Sequence, residues 1–261
     1  MHKISPKYKY NEESQEALIN KYKLEVIKLS GEHVKFGKSV LIIKGDQSLS
    51  PEEFAVSYFN ELGHKTIFCE SVPFHVLFGV FTWVLIQGPG DTKNRFIGFG
   101  NRDAFAQGFK VPMWSSLPQD FGTKGYFLRR KKRILLHIDS LASSTEELLQ
   151  TFSMWETGSI PLRQYLCANR KEDVERARNI LKVLPAEVVK KILLFLIENY
   201  WQRYLGWPDL LVYNDSGYFF VEVKSSKDKL SEDQKNWIRG NEEILKLPFK
   251  LLKIHNIFSN S

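Results

Sequence analysis

Apolar and polar positions alternate along the chain in a way that predicts helices and strands in turn. Residues 12–29 carry a helical pattern, and 34–44 (VKFGKSVLIIK) read as a strand pair turning at Gly37. Ser50 then marks a helix start: it is the N-cap, Pro51 takes the first helical position and Glu53 completes a capping box. Phe54, Tyr58, Phe59 and Leu62 give that helix its apolar face, and Gly63 ends it. A short strand over 66–69 leads into 74–86, which is apolar all round and so predicts a buried helix, closed by Gly88-Pro89-Gly90.

Residues 91–125 are rich in glycine, proline and aromatic residues, which predicts irregular structure and short helices held by buried rings. Ser144 with Glu147 opens a helix running to about residue 156, and 171–183 form a charged helix. Pro185 opens the longest helix, with Val188, Ile192, Phe195, Leu196 and Tyr200 on its apolar face. It delivers the chain to Gly206. Two strands follow, 210–213 and 218–224, around the turn Asn214-Asp215-Ser216-Gly217. A helix capped by Ser231 and a last strand over 249–254 complete the pattern, which holds no repeat and no Gly-rich nucleotide loop.

The hairpin carries the chemistry. With Tyr213 opposite Tyr218, Asp209 lies opposite Glu222. Side chains alternate faces, so Asp209, Glu222 and Lys224 share one face, while Leu210, Val212, Phe219, Val221 and Val223 form the core-facing set. Two carboxylates opposite each other across a ladder repel. Lys224 offsets part of that repulsion, and a divalent cation would offset the rest, since magnesium is commonly held by one or two carboxylates plus substrate phosphates. The alternative is a solvated hairpin with ordinary surface charges, and a slip of one residue would part the carboxylates.

The net charge of +7 favours a polyanionic partner. Its densest run is Arg129-Arg130-Lys131-Lys132-Arg133, which reads as a solvated helix start, a localisation signal or a phosphate-binding patch. Arg203, at the end of the long helix, reads as a phosphate contact or a helix C-terminal charge. Lys227 and Lys229 are candidate backbone contacts, and Gln234 is either a supporting site residue or simply the capping-box partner of Ser231. Cys69 and Cys167 are far apart and near no His/Cys group, which excludes a disulfide framework and a zinc site. No signal peptide, lipidation motif or membrane-length apolar span is visible, so the expectation is an intracellular soluble protein without a membrane partner.

Pro208-Asp209 followed by Glu222-Val223-Lys224 resembles the signature of the PD-(D/E)xK nucleases. The wider string, from GWPDLLVY through VEVKSSKDKLSEDQKNWI, resembles the virus-type replication-repair nuclease (VRR-NUC) module, in particular that of the Fanconi anaemia-associated nuclease family. The segment GHKTIFCESVPFHVLFGVFTWVLI is similar to the family segment in which a glutamate entering a long helix is a metal ligand; that role falls on Glu70, with Glu61 as its rival and Glu52 and Glu53 as solvated or capping residues. The resemblance covers about 31–255. It implies an α/β, restriction-endonuclease-like fold: a mixed sheet flanked by helices, a nuclease domain over 31–261 with a helical insertion at about 88–185, and an N-terminal helical extension over 1–30.

It also implies that Glu70, Asp209, Glu222 and the Val223 carbonyl hold one or two magnesium or manganese ions, with Lys224 positioning the attacking water. The implied activity is hydrolysis of DNA phosphodiesters in branched, 5′-flap or single-strand-containing repair intermediates, by endonuclease and 5′-to-3′ exonuclease action. A junction resolvase, a restriction-type nuclease and a non-catalytic DNA-binding protein are the alternatives. The family has Gly-Pro where this chain has Ser225-Ser226, which leaves the local loop shape open, and a protein partner is expected in place of the family's N-terminal regions.

Overall fold

The computed structural model describes residues 13–37, 39–102, 111–225 and 228–258. A short helix, α1 (Gln15–Tyr22), ends where Lys23 adopts a left-handed conformation. The helix expected over 12–29 is therefore cut short. Residues from Glu25 onward belong instead to β1 (Glu25–Phe36), whose parallel pairing with a strand more than two hundred residues away overrides the local pattern. The expected strand pair is present: β1 turns at Gly37 (φ +61°) into β2 (Ser39–Lys44), followed by β3 (Gln47–Leu49). Next come α2 (Pro51–Glu61), β4 (Lys65–Phe68) and α3 (Val72–Ile86). The Ser50–Glu53 capping box forms as the sequence predicts.

Between α3 and the long helix lie β5 (Asn94–Arg102), β6 (Val111–Pro118), α4 (Lys124–Ser140), α5 (Thr145–Trp155), α6 (Ile160–Tyr165) and α7 (Lys171–Val183). The expectation of irregular structure over 91–125 is corrected here, because β5 and β6 form an antiparallel hairpin. Its two faces both carry large apolar residues, Ile97 and Phe99 on one and Phe96 and Trp114 on the other. That hides the period-two alternation by which strands are recognised.

After α8 (Ala186–Glu198) and the single turn α9 (Tyr200–Arg203) come β7 (Leu210–Asn214), β8 (Gly217–Ser225), α10 (Glu232–Gly240), a π-helical turn (Asn241–Leu245) and β9 (Phe249–Asn256). Among the described residues, seven strands make one sheet in the order β3-β2-β1-β9-β8-β7-β4. β9 runs parallel to both β1 and β8, and the other pairings are antiparallel. The β8–β9 pair needs a crossover, which α10 and the π turn supply. Both edge strands, β3 and β4, are short, which limits edge-to-edge pairing.

Helices cover both faces of the sheet. Ala55 and Phe59 of α2 pack on Leu210, Val212, Val221, Val223, Leu252 and Ile254. On the opposite face, Leu211, Phe220 and Leu251 lie under α3, α8, Trp207 and Trp237. The face assigned to Asp209, Glu222 and Lys224 is therefore not a solvent face, which corrects the one-sided reading of the hairpin. Strands buried on both sides read as continuous apolar runs, and LLV in β7 is one. The carboxylates sit at the margin of the larger core. α3 is buried around almost its whole circumference, as expected, and no helix among the described residues is long and apolar enough to cross a membrane.

Candidate active site

The approach to the hairpin is fixed by Gly206, whose φ is +79°. A Cβ there would lie 2.1 Å from the Asp233 carbonyl oxygen, so the chain passes against the first turn of α10 only as glycine. Trp207 stacks on Phe74 at 3.9 Å between ring centroids and donates from Nε1 to the Arg203 carbonyl. Pro208 accepts a hydrogen bond at its carbonyl from Cys69 Sγ (3.0 Å). Asp209 immediately precedes β7.

Tyr213 pairs with Tyr218, as expected, and the ladder runs down to Leu210 opposite Val221. The same register puts Asp209 opposite Glu222 and Pro208 opposite Val223. The Cys69 N–H donates to the Asp209 carbonyl (2.9 Å), so the main chain of Asp209 faces β4, and the Phe220 N–H donates to Pro248, so even-numbered residues of β8 face β9. The N–H and C=O of Val223 therefore face β7, where the next rung requires a donor from Pro208. Proline has none. The Asp209 carboxylate takes up the Val223 N–H at 2.8 Å, and the register gives the Val223 carbonyl no ladder donor from Pro208. This gives the Pro-Asp dipeptide a physical role: it stops the ladder one rung early.

Glu222 is only 2% exposed. Its Oε1 accepts from Lys224 Nζ at 2.8 Å and from Gln234 Nε2. Gln234 is also the capping-box residue of α10: its Oε1 accepts from the Ser231 N–H while its own N–H donates to Ser231 Oγ. One side chain thus closes the helix cap and also hydrogen-bonds Glu222. Burial, and then the charge of Asp209, push the Glu222 carboxyl up to about 8 despite Lys224. Burial also raises Asp209 to about 6, against the opposing pull of the Val223 N–H and Lys224, with Glu52 and Glu70 adding repulsion. Both shifts disfavour the doubly ionised pair, and added positive charge beside it would favour that form. Two crowded carboxylates and a carbonyl oxygen are hard donors of the kind magnesium and manganese take, so the residues fit such an ion.

Glu70 is exposed and holds a left-handed φ of +43° at the corner between β4 and α3. It follows Cys69, the β4-side partner of Asp209, and its charge reaches Asp209. It does not close on the pair: among the described residues, no three His, Cys, Asp or Glu side chains form a group that could hold a metal ion. Glu61 lies at the far end of α2, paired with Lys44, so it is no rival for the site. Glu52, in the first turn of α2, is more than the solvated or capping residue that the sequence predicts, because its charge reaches Asp209. No local pattern reveals that, because the influence depends on α2 lying across the sheet.

The basic candidates divide. Arg129 makes paired hydrogen bonds to Asp91 (2.9 and 3.0 Å) and to Asp120 (2.9 and 2.7 Å), and buried Arg130 donates to Asp91 at 2.7 Å. Both are held by carboxylates in an ion network. Lys131, Lys132 and Arg133 are exposed on α4. Arg203 donates to the Phe195 carbonyl and Glu198 and lies over the Phe195 ring, so it locks the end of α8 rather than reaching toward the carboxylates. Lys229 is exposed beyond β8, and Lys227 lies outside the described residues.

A family model for the VRR-NUC domain matches residues 144–243. The Fanconi-associated nuclease 1 homolog of Schizosaccharomyces pombe is 24% identical over 220 residues, 80% of this chain and 28% of that protein. The Arabidopsis thaliana homolog is 25% identical over 72% of this chain and 20% of its own length, and Fanconi-associated nuclease 1 of Danio rerio is 25% identical over 72% and 18%. The chain thus spans less than a third of these relatives. Among solved structures, paFAN1 bound to 5′-flap DNA with a 2-nucleotide flap and a gap superposes with a TM-score of 0.61 at 18% identity, covering 91% of this chain and 38% of that one. The corresponding complex with a 1-nucleotide flap gives 0.59. Both share the mixed sheet and its flanking helices. The segment that matches the VRR-NUC model contains Pro208-Asp209 and Glu222-Val223-Lys224, and the chain, on a restriction-endonuclease-like fold, is similar over most of its length to the Fanconi-associated nucleases.

Proposed function

We propose that this chain is a divalent-metal-dependent DNA nuclease that hydrolyses phosphodiester bonds in branched or 5′-flap intermediates, with endonuclease and 5′-to-3′ exonuclease action, inside the cell. The observation that carries the reading is the juxtaposition of Asp209 and Glu222 across the hairpin, with Asp209 on the Val223 N–H and Lys224 on Glu222. Asp209, Glu222 and the Val223 carbonyl would hold magnesium or manganese, with Glu70 as a further carboxylate, and the ion would supply Lewis acidity toward the phosphate and activate water. Lys224 places a positive charge where the attacked phosphate gathers negative charge, and its ammonium is a donor that can orient water. Gln234 holds the Glu222 carboxylate at a fixed angle, so that the donors stay aligned. The complexes of paFAN1 with flap DNA support branched DNA as the substrate class.

The test is cleavage of an end-labelled 5′-flap DNA in magnesium, in manganese and in EDTA, with Glu222→Ala alongside. Cutting that requires metal and is lost in the variant is expected. Binding without cutting in every metal condition, or full activity in Glu222→Ala, would overturn the assignment.

A further inference from the structure

The hairpin β5–β6 presents two large aromatic residues outward. Phe96 is 81% exposed and Trp114 61% exposed. They share the outer face, because Phe96 pairs with Ser116 and Gly98 with Trp114, which makes the two rings diagonal neighbours across the ladder. The inner face is anchored. Phe99 meets Tyr165 edge-on at 5.4 Å, Ser115 accepts from Gln87 at 2.7 Å, and Leu117 is fully buried.

Trp114 does not project loosely. A Cβ at Gly98 would lie 3.2–3.4 Å from three atoms of its six-membered ring, so the indole lies down on the Gly98 main chain with its other π-face open. Covering a cross-strand glycine accounts for the posture of Trp114. It gives no reason for Phe96 beside it. At the base of the same hairpin, Arg95 is exposed but lies opposite Leu117 on the inner-face register and hydrogen-bonds the carbonyl oxygens of Thr92 and Asn94, so it is not one of the outer-face residues. The chain as a whole carries a charge of +7.

We propose that the outer face of β5–β6 is a stacking platform for unpaired nucleotides, with Trp114 and Phe96 taking base faces and the positive charge of the chain favouring the polyanionic backbone. Flat, open aromatic rings in a basic setting are the features by which proteins hold single-stranded nucleic acid without reading its sequence. The inference rests on the DNA-nuclease reading for the identity of the polyanion, and it assigns to a face that reading leaves unused the single-stranded arm of a branched substrate.

The test is fluorescence anisotropy with a labelled 20-nucleotide oligothymidylate and a blunt 20-base-pair duplex, in EDTA so that no cleavage intervenes. Failure of the platform is then distinct from failure of the nuclease assignment, which is read by metal-dependent cutting. The expected result is that Phe96→Ala and Trp114→Ala each weaken binding of the single strand by about tenfold, while duplex affinity changes less than about twofold, the margin taken here as neutral. Trp114→Leu should lose as much as Trp114→Ala, and Trp114→Phe should retain most of the binding. Phe96, with little buried surface, can be replaced without disturbing the hairpin, so its variant decides the matter even if Trp114→Ala unfolds. No single-strand binding by the wild type, equal losses on both probes, unchanged affinity in Phe96→Ala, or full binding by Trp114→Leu, which would mark a merely apolar protein-docking face, would each overturn the proposal.

Discussion

Replacing Asp91 by Asn separates two readings of the basic run on α4, because it removes the acid on which Arg129 and Arg130 both converge. The Asp91 side chain has no exposed surface. Burial alone would raise its carboxyl; the Arg129 hydrogen bonds, the Lys93 N–H and the charges of Arg130 and Arg129 overcome this and hold it at about 2, against an ordinary 3.8. Complete transfer of that difference to stability would be about 2.4 kcal/mol at neutral pH. Solvent around the partly exposed Arg129 lowers it to about 1–2 kcal/mol. A depressed carboxyl contributes this stability above its unfolded pKa and loses it as pH falls through the folded value, so the contribution is intact at pH 7 and about halved near pH 3.

Asp91→Asn also leaves Arg130 buried and uncompensated, for which the usual cost is about 3–5 kcal/mol; Arg129 keeps Asp120, which favours the lower end. The expected outcome is a loss of about 3 kcal/mol in urea unfolding followed by circular dichroism at pH 7, with the gap from wild type narrowing toward pH 3. A variant within about 0.5 kcal/mol of wild type, the range of an ordinary surface substitution, or a gap that does not change with pH, would refute the account of α4 as clamped by this network.

Other outcomes follow from the site. Pro208→Ala restores a donor opposite the Val223 carbonyl, and if that hydrogen bond forms at about 1 kcal/mol, the magnesium needed for half-maximal cleavage should rise about fivefold; an unchanged titration would show that the carbonyl is not used. Gln234→Glu keeps an acceptor for the Ser231 N–H but sets a carboxylate against Glu222, so cleavage should fall at least about tenfold with the α10 cap intact. Wild-type turnover in that variant would remove Gln234 from the site. In metal-free protein, the raised carboxyls of Asp209 and Glu222 favour folding when protonated, and that contribution is lost as pH rises through about 6 and then about 8. The gain in melting temperature from added magnesium should therefore grow between pH 5.5 and pH 9; an equal gain at both would contradict the carboxylate assignment.

What was legible in the sequence was what local chemistry decides. The Asn214–Gly217 turn sets the Tyr213–Tyr218 register, and with it the opposition of Asp209 and Glu222. Ser50 with Glu53 and Ser231 with Gln234 announce their helices by side chains that bond across one turn. What escaped depends on distant partners. Nothing near Arg129 or Arg130 reveals Asp91, which lies 38 and 39 residues away. The strand character of 25–30 appears only against β9. Phe220 and Leu211 look like the solvent side of a hairpin until α3 and α8 cover them. The double duty of Gln234 was half visible: its capping role is local, while its contact with Glu222 requires α10 to lie against β8.

The position of β9 bears on the order in which this protein can come into being. It joins β1 to β8 of the carboxylate hairpin, and the other strands among the described residues are all synthesised before it. While the polypeptide emerges from the ribosome, β1–β3 and β4 with β7–β8 can form only as separate fragments, each with an open edge. Joining them closes a very long loop, a slow step in folding. Until it happens, Val223 and Glu222 lie in an edge strand lacking one neighbour. A hydrolase of this design would be inert on the nascent chain and become competent only when the last strand docks.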